Sequence, residues 1–139
     1  MELYKSSYRM IKSQWGIAID IAGEVTSFDQ YQNKDLCEKI SDYIWLRFLI
    51  SLDCEEQKFI RYGLFRVAES INQVSPYEND TLIIFHSINY NPSDYQQEGL
   101  TAAVYKWVTD VFKIAMPEYS VSFSRSHNKY EFNYEDIKR

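Results

Sequence analysis

Any histidine or thiol chemistry in this 139-residue chain rests on four side chains, His86, His127, Cys37 and Cys54. His86 stands inside an apolar run, eight residues ahead of Asp94 and twelve ahead of Glu98. A histidine beside such carboxylates can act as a general acid or base. His86 with Asp94 or Glu98 is therefore the one hydrolase-type arrangement on offer. No serine or cysteine with the flanks of an activated nucleophile accompanies it, and a strand histidine bonded to a neighbour is the commoner outcome. His127 falls between Ser126 and Asn128, in turn-forming sequence. A zinc site needs three or four converging ligands. Cys37 and Cys54 lack paired spacing, so no metal or other cofactor is expected, and each thiol reads as a small hydrophobe. Asp20 with Glu24, and Asp94 with Glu98, would share a face if helical, where a divalent cation or glycoside chemistry could use them. Solvated faces carry such pairs far more often. Gly63 and Gly99 are isolated and form no phosphate-cradling loop. The expectation is a non-enzyme.

Charge narrows the partner. The net charge is −5, and it is segregated. Residues 13–56 hold nine acids against three bases, and residues 74–104 hold four acids and neither Lys nor Arg. Residues 1–12 and 57–73 each carry three bases and one acid. Phosphate recognition needs clustered Lys and Arg, so nucleic acid is not expected, and neither is an anionic membrane. A basic protein would be steered in by the acidic segments. Aromatic residues reach 17%, with 12 Tyr, a composition suited to interfaces as well as to a modest core. The longest apolar stretch, Tyr43 to Leu52, is interrupted by Arg47 and Ser51 and falls short of a membrane span. Met1 to Lys12 does not read as a signal segment. A reducing cytoplasm is the expected compartment.

The elements that must position these residues follow from periodicity. Residues 1–12 read as a weak helix. Residues 16–28 fit either period: Ile17, Ile21, Val25 and Phe28 recur at helical spacing, while Ile17, Ile19 and Ile21 alternate; the helix is preferred. A helix is expected from 33 or 34 to about 51, with Leu36, Ile40, Tyr43, Ile44 and Phe48 as its stripe. Asp53 and Glu56 have the spacing of a capping box opening a helix to about Asn72, with Ile60, Leu64, Val67, Ala68 and Ile71 inward. A loop over 74–80 leads to a strand from Thr81 to Tyr90. Asp94 is expected to cap a helix from about Tyr95 to Ile114, stopped by Pro117. A hairpin closes the chain, with Val121 and Phe123 facing Tyr130, Phe132 and Tyr134 across a turn at 126–128. There Asn128 can take positive φ. The resulting fold class is α+β: one globular domain over 1–139, a largely antiparallel three-stranded sheet packed against three to five helices.

The segment from Ile83 to Tyr134 carries a resemblance. Its residues are Ile88-Asn89-Tyr90, then Asp94-Tyr95-Gln96-Gln97-Glu98-Gly99-Leu100, then Ala102-Ala103, Trp107, Phe112 and Pro117 before an aromatic strand. This pattern resembles immunity proteins of bacterial polymorphic toxin systems. The resemblance implies a cytoplasmic bacterial inhibitor that binds and blocks a cognate, basic toxin domain. Tyr90, Asp94, Tyr95 and Glu98 are then the expected partner contacts, with tyrosine anchors inside a charged rim. The alternatives are a generic interaction or homodimerisation module, and an enzyme built on His86.

Overall fold

The computed structural model describes residues 2–135. Strands β1 (Tyr4–Ile11) and β2 (Gly16–Ser27) come first, then β3 (Glu38–Lys39) and β4 (Ile44–Phe48). Helix α1 (Cys54–Val74), strand β5 (Thr81–Tyr90), helix α2 (Gly99–Phe112) and strands β6 (Ser120–Ser124) and β7 (Lys129–Asn133) follow. Short 3-10 turns lie at Lys34–Leu36 and Pro92–Asp94. Five strands form one mixed sheet in the order β1-β2-β5-β4-β3, and β6 and β7 form a separate antiparallel pair. Every pairing in the large sheet is antiparallel except β4 with β5, which the α1 crossover makes parallel.

The expected three-stranded, largely antiparallel sheet with three to five helices is therefore wrong. The helix expected over 1–12 is β1, where Tyr4, Ser6, Tyr8 and Met10 alternate in burial with Lys5, Ser7 and Arg9. Three of its inward positions, Tyr4, Ser6 and Tyr8, bear hydroxyls, which hides the period of two from a hydrophobicity reading. The helix preferred over 16–28 is β2. Its β-branched Ile17, Ile19 and Ile21 are all fully buried on one sheet face, as their alternation allowed. The helix expected from 33 to 51 dissolves into a 3-10 turn, β3 and β4. Ile44 and Leu46 are fully buried beside Thr81 and Ile83 of β5, so sheet pairing overrides a weak helical stripe.

Other elements stand as read. Asp53 accepts from the Glu56 backbone N–H at 2.8 Å and the Glu56 carboxylate accepts from the Asp53 N–H at 3.2 Å, a complete capping box for α1. Ile60, Leu64, Val67, Ala68 and Ile71 all face the core. The β6–β7 turn holds Asn128 at φ 52°. Helix α2 starts later than expected, at Gly99, and ends with Lys113 in the left-handed conformation.

Trp107 of α2 is the largest fully buried side chain; its ring sits edge-on to Phe85 at 5.1 Å and its indole N–H donates to the Tyr4 carbonyl at 3.0 Å. Gly23 makes this possible: a Cβ there would lie 2.8 Å from the Ile84 carbonyl and 3.0 Å from both Phe85 and Trp107. The β6–β7 pair is fastened by side chains. Gln96 bonds both the N–H and the carbonyl of Tyr130, at 2.8 and 2.5 Å, and the Tyr130 hydroxyl donates to the Trp15 carbonyl at 2.6 Å. Arg66 donates to the Tyr134 carbonyl at 2.7 Å. Among the described residues, no helix is long and apolar enough to cross a membrane.

Candidate functional site

Tyr90 ends β5 and Tyr95 follows the Pro92–Asp94 turn, so the chain doubles back and lays one ring on the other. Their centroids are 3.5 Å apart and the planes differ by 8°. Both hydroxyls donate to a single atom, Oε2 of Glu56, at 3.1 Å from Tyr90 and 2.6 Å from Tyr95. Glu56 is buried, and its other oxygen is already the acceptor of the capping box. One carboxylate thus closes the first turn of α1 and holds the tyrosine pair. Burial first, and the Glu56 contact second, push both phenols above their ordinary value. Tyr90 keeps an open side, at 38% exposure.

Two shallow depressions lie at the same end of the sheet, the first reaching Asp94 and the second Tyr90. One, of about 300 Å³, is walled by Met10, Ile11, Ile17 and Ala18, with Asp94 and Arg9 on its rim. The other, of about 550 Å³, runs from Arg9, Ala18 and Asp20 to Asn89 and Tyr90. Ile11 is 69% exposed there. Asp20 and Arg9 pair at 2.9 Å across the floor, and the Ser7 hydroxyl, then Arg9, hold the Asp20 carboxyl below the usual range. This end of the sheet therefore offers an apolar patch, an aromatic anchor and an acidic rim of Asp94 and of Asp53, the N-cap of α1 beside Glu56.

Of the four expected contacts, Tyr90, Asp94 and Tyr95 come together at this corner. Asp94 does not cap a long helix; it closes the 3-10 turn, because Asn91, whose side chain accepts from the Ser93 N–H at 3.2 Å, and Pro92 start that turn first. Glu98 points elsewhere. It occupies the N-cap position of α2 without a side-chain cap bond, its carbonyl accepts from the Tyr134 hydroxyl at 2.6 Å, and its carboxylate lies 3.8 Å from Lys129 of β7. Glu56, Arg9 and Ile11 were not foreseen as site residues. The capping-box spacing flagged Glu56, but only as a helix signal.

His86 meets neither Asp94 nor Glu98. It is the extra residue of a bulge between β2 and β5, where Ala22 faces Ser87 and Gly23 faces Phe85. The bulge turns its ring onto Glu24, and Nε2 contacts the Glu24 Oε1. The Glu24 side chain is 10% exposed, and its Oε2 has no protein partner. Asp20 and Glu24 are strand neighbours on the outer sheet face rather than helix neighbours. His127 bonds Ser124 and Ser126 in the β6–β7 turn. Cys54 is exposed at the start of α1, and Cys37 is partly buried in the β2–β4 connection. No group of three or more His, Cys, Asp or Glu side chains converges on a point among the described residues. No protein-family model matches this chain, and no curated protein matches it significantly.

Proposed function

We propose that this chain is a non-catalytic binding protein that docks a basic protein domain on the Tyr90–Asp94–Tyr95 corner, and that the domain is a bacterial toxin which it neutralises in the cytoplasm. The observation that carries the reading is the stacked tyrosine pair fixed on Glu56 beside an exposed apolar patch. Rigid, amphipathic aromatic side chains make large contacts at low entropic cost, which is the chemistry of interface anchors. The acidic rim supplies the steering that a basic partner needs. The resemblance of residues 83–134 to immunity proteins supplies the choice of a toxin.

Affinity capture of the tagged chain from its source bacterium, with mass spectrometry of the co-eluting protein, tests the proposal. A single stoichiometric partner with a basic, toxin-like domain is the expected result. Asp94→Lys then lowers the association rate and flattens its salt dependence, while Glu98→Lys, turned towards Lys129, does so less. Wild-type binding that ignores ionic strength would refute the electrostatic docking.

A further inference from the structure

Helix α1 buries one stripe against α2 and the sheet, and its opposite stripe is open to solvent apart from Tyr62, whose ring lies 6.3 Å from that of Tyr134, and Asn72, which bonds Asn79 at 2.7 and 3.1 Å. Glu55, Lys58, Tyr62, Phe65, Glu69 and Asn72 recur along that outer face at spacings of three and four. Phe65 is 60% exposed, an unusual exposure for a phenylalanine, while Glu55, Lys58 and Glu69 are exposed and Tyr62 half-buried. The order of chemistry along the stripe is symmetric in a specific way. Turned about a point midway between Gly63 and Leu64, the helix sets position 58 against 69, position 62 against 65 and position 55 against 72. Lys58 then faces Glu69, Tyr62 faces Phe65, and Glu55 faces a neutral Asn72.

We propose that this face binds a second copy of the same chain, α1 against α1 antiparallel, across a two-fold axis at its midpoint. An isologous contact needs a self-complementary patch, and this stripe supplies one: two Lys58–Glu69 pairs flank a cluster of four rings. The remaining bases of α1 do not oppose the arrangement. Arg61 is held by Glu38 at 2.7 and 3.1 Å, and Arg66 is turned onto the Tyr62 hydroxyl and the Tyr134 carbonyl, each at 2.7 Å. A foreign partner would have to match acid, base and ring in this order, whereas a second copy matches it automatically. The stripe contains none of Tyr90, Asp94, Tyr95 or Ile11, so the dimer leaves the docking corner free.

Sedimentation velocity of the intact chain over ~1–500 µM tests this, because dimerisation responds to concentration by mass action. The wild type is expected to pass from monomer to dimer, and Phe65→Asp to stay monomeric with an unchanged circular dichroism spectrum. Lys58→Glu or Glu69→Lys each create two like-charge contacts across the axis and weaken the dimer about tenfold. Combining Lys58→Glu with Glu69→Lys restores opposite charges and brings the dissociation constant back to within about threefold of the wild type. A wild type that is monomeric throughout overturns the proposal, as does a Phe65→Asp dimer of wild-type strength. A combined swap no tighter than the single reversals, on a folded protein, overturns it too.

Discussion

Replacing Glu56 with alanine removes three hydrogen bonds from one carboxylate, and their sum can be worked out. The return bond of the capping box, at 3.2 Å to the Asp53 N–H, contributes about 0.5–1 kcal/mol. The Tyr95 bond, at 2.6 Å on a half-buried hydroxyl, is charge-assisted and contributes about 1.5–2 kcal/mol. The Tyr90 bond, at 3.1 Å on an exposed residue, is worth less, about 0.5 kcal/mol. Loss of a carboxylate from the first turn of α1 adds about 0.3–0.5 kcal/mol. Glu56→Ala therefore costs about 3–4 kcal/mol, a fall in Tm of roughly 10–15 °C for a domain of this size. Urea unfolding followed by circular dichroism reads the loss directly. A double-mutant cycle with Tyr95→Phe should return a coupling of about 1–2 kcal/mol, since each change removes the same bond. A cost for Glu56→Ala below about 1 kcal/mol, or additivity with Tyr95→Phe, would refute the account of one carboxylate serving both the helix and the tyrosines.

Alkali gives a second test. Burial is the first cause holding the hydroxyls of Tyr8, Tyr95, Tyr105 and Tyr134 above their ordinary value, with Tyr105 pushed up to about 12. The folded chain keeps protons that the unfolded chain releases, so this stability is complete below pH ~10 and is lost as pH rises from there. Four retained protons give a slope of about 5 kcal/mol per pH unit, so unfolding between about pH 10 and 12 should be cooperative. Tyrosinate absorbance should rise together with loss of the circular dichroism signal; gradual ionisation of these four with the signal intact would contradict it. Gly23→Ala is expected to cost about 3 kcal/mol or more in chemical denaturation, since its methyl group would press on the Ile84 backbone and the Trp107 ring. A near-neutral result there would mean that β5 and α2 shift apart easily.

The parts of the fold legible in the sequence are those whose signals are local. The Asp53–Glu56 box, the α1 stripe, the apolar run of β5 and the turn at Asn128 each specify an element without help from distant residues. The failures lie in the first fifty residues, where strand formation depends on partners far along the chain. β2 pairs with β5 about sixty residues later, and β4 lies beside β5 only through the α1 crossover. The bulge at Ala22/Gly23 has no mark in the sequence, so the meeting of His86 with Glu24 could not be foreseen. The candidate site was half legible. The string from Asp94 to Glu98 pointed to the corner where Tyr90, Asp94 and Tyr95 meet, although Glu98 turns away from it. The hydrogen bonds through Glu56, from α1, and the apolar floor from β1 and β2 arise only when the sheet assembles.

The way β1 is anchored sets an order on how the chain is made. The Tyr8 hydroxyl meets the Tyr119 hydroxyl at 3.0 Å, the Lys12 N–H donates to the Tyr130 hydroxyl at 2.9 Å, and the Trp15 indole donates to Asn128 at 3.2 Å. Each contact spans more than a hundred residues. Synthesis proceeds at about 5–20 residues per second, so β1 and β2 wait several seconds outside the ribosome before residues 119–130 can reach them. Through that interval β1 and β2 lack those partners, and until β5 emerges the edge of β2 that it will take is unpaired and open to pairing with other chains. The newborn protein is therefore most exposed to misassembly at its first hairpin, and a chaperone that shields residues 4–27 should raise the yield of folded chains more than one acting on α1 or α2.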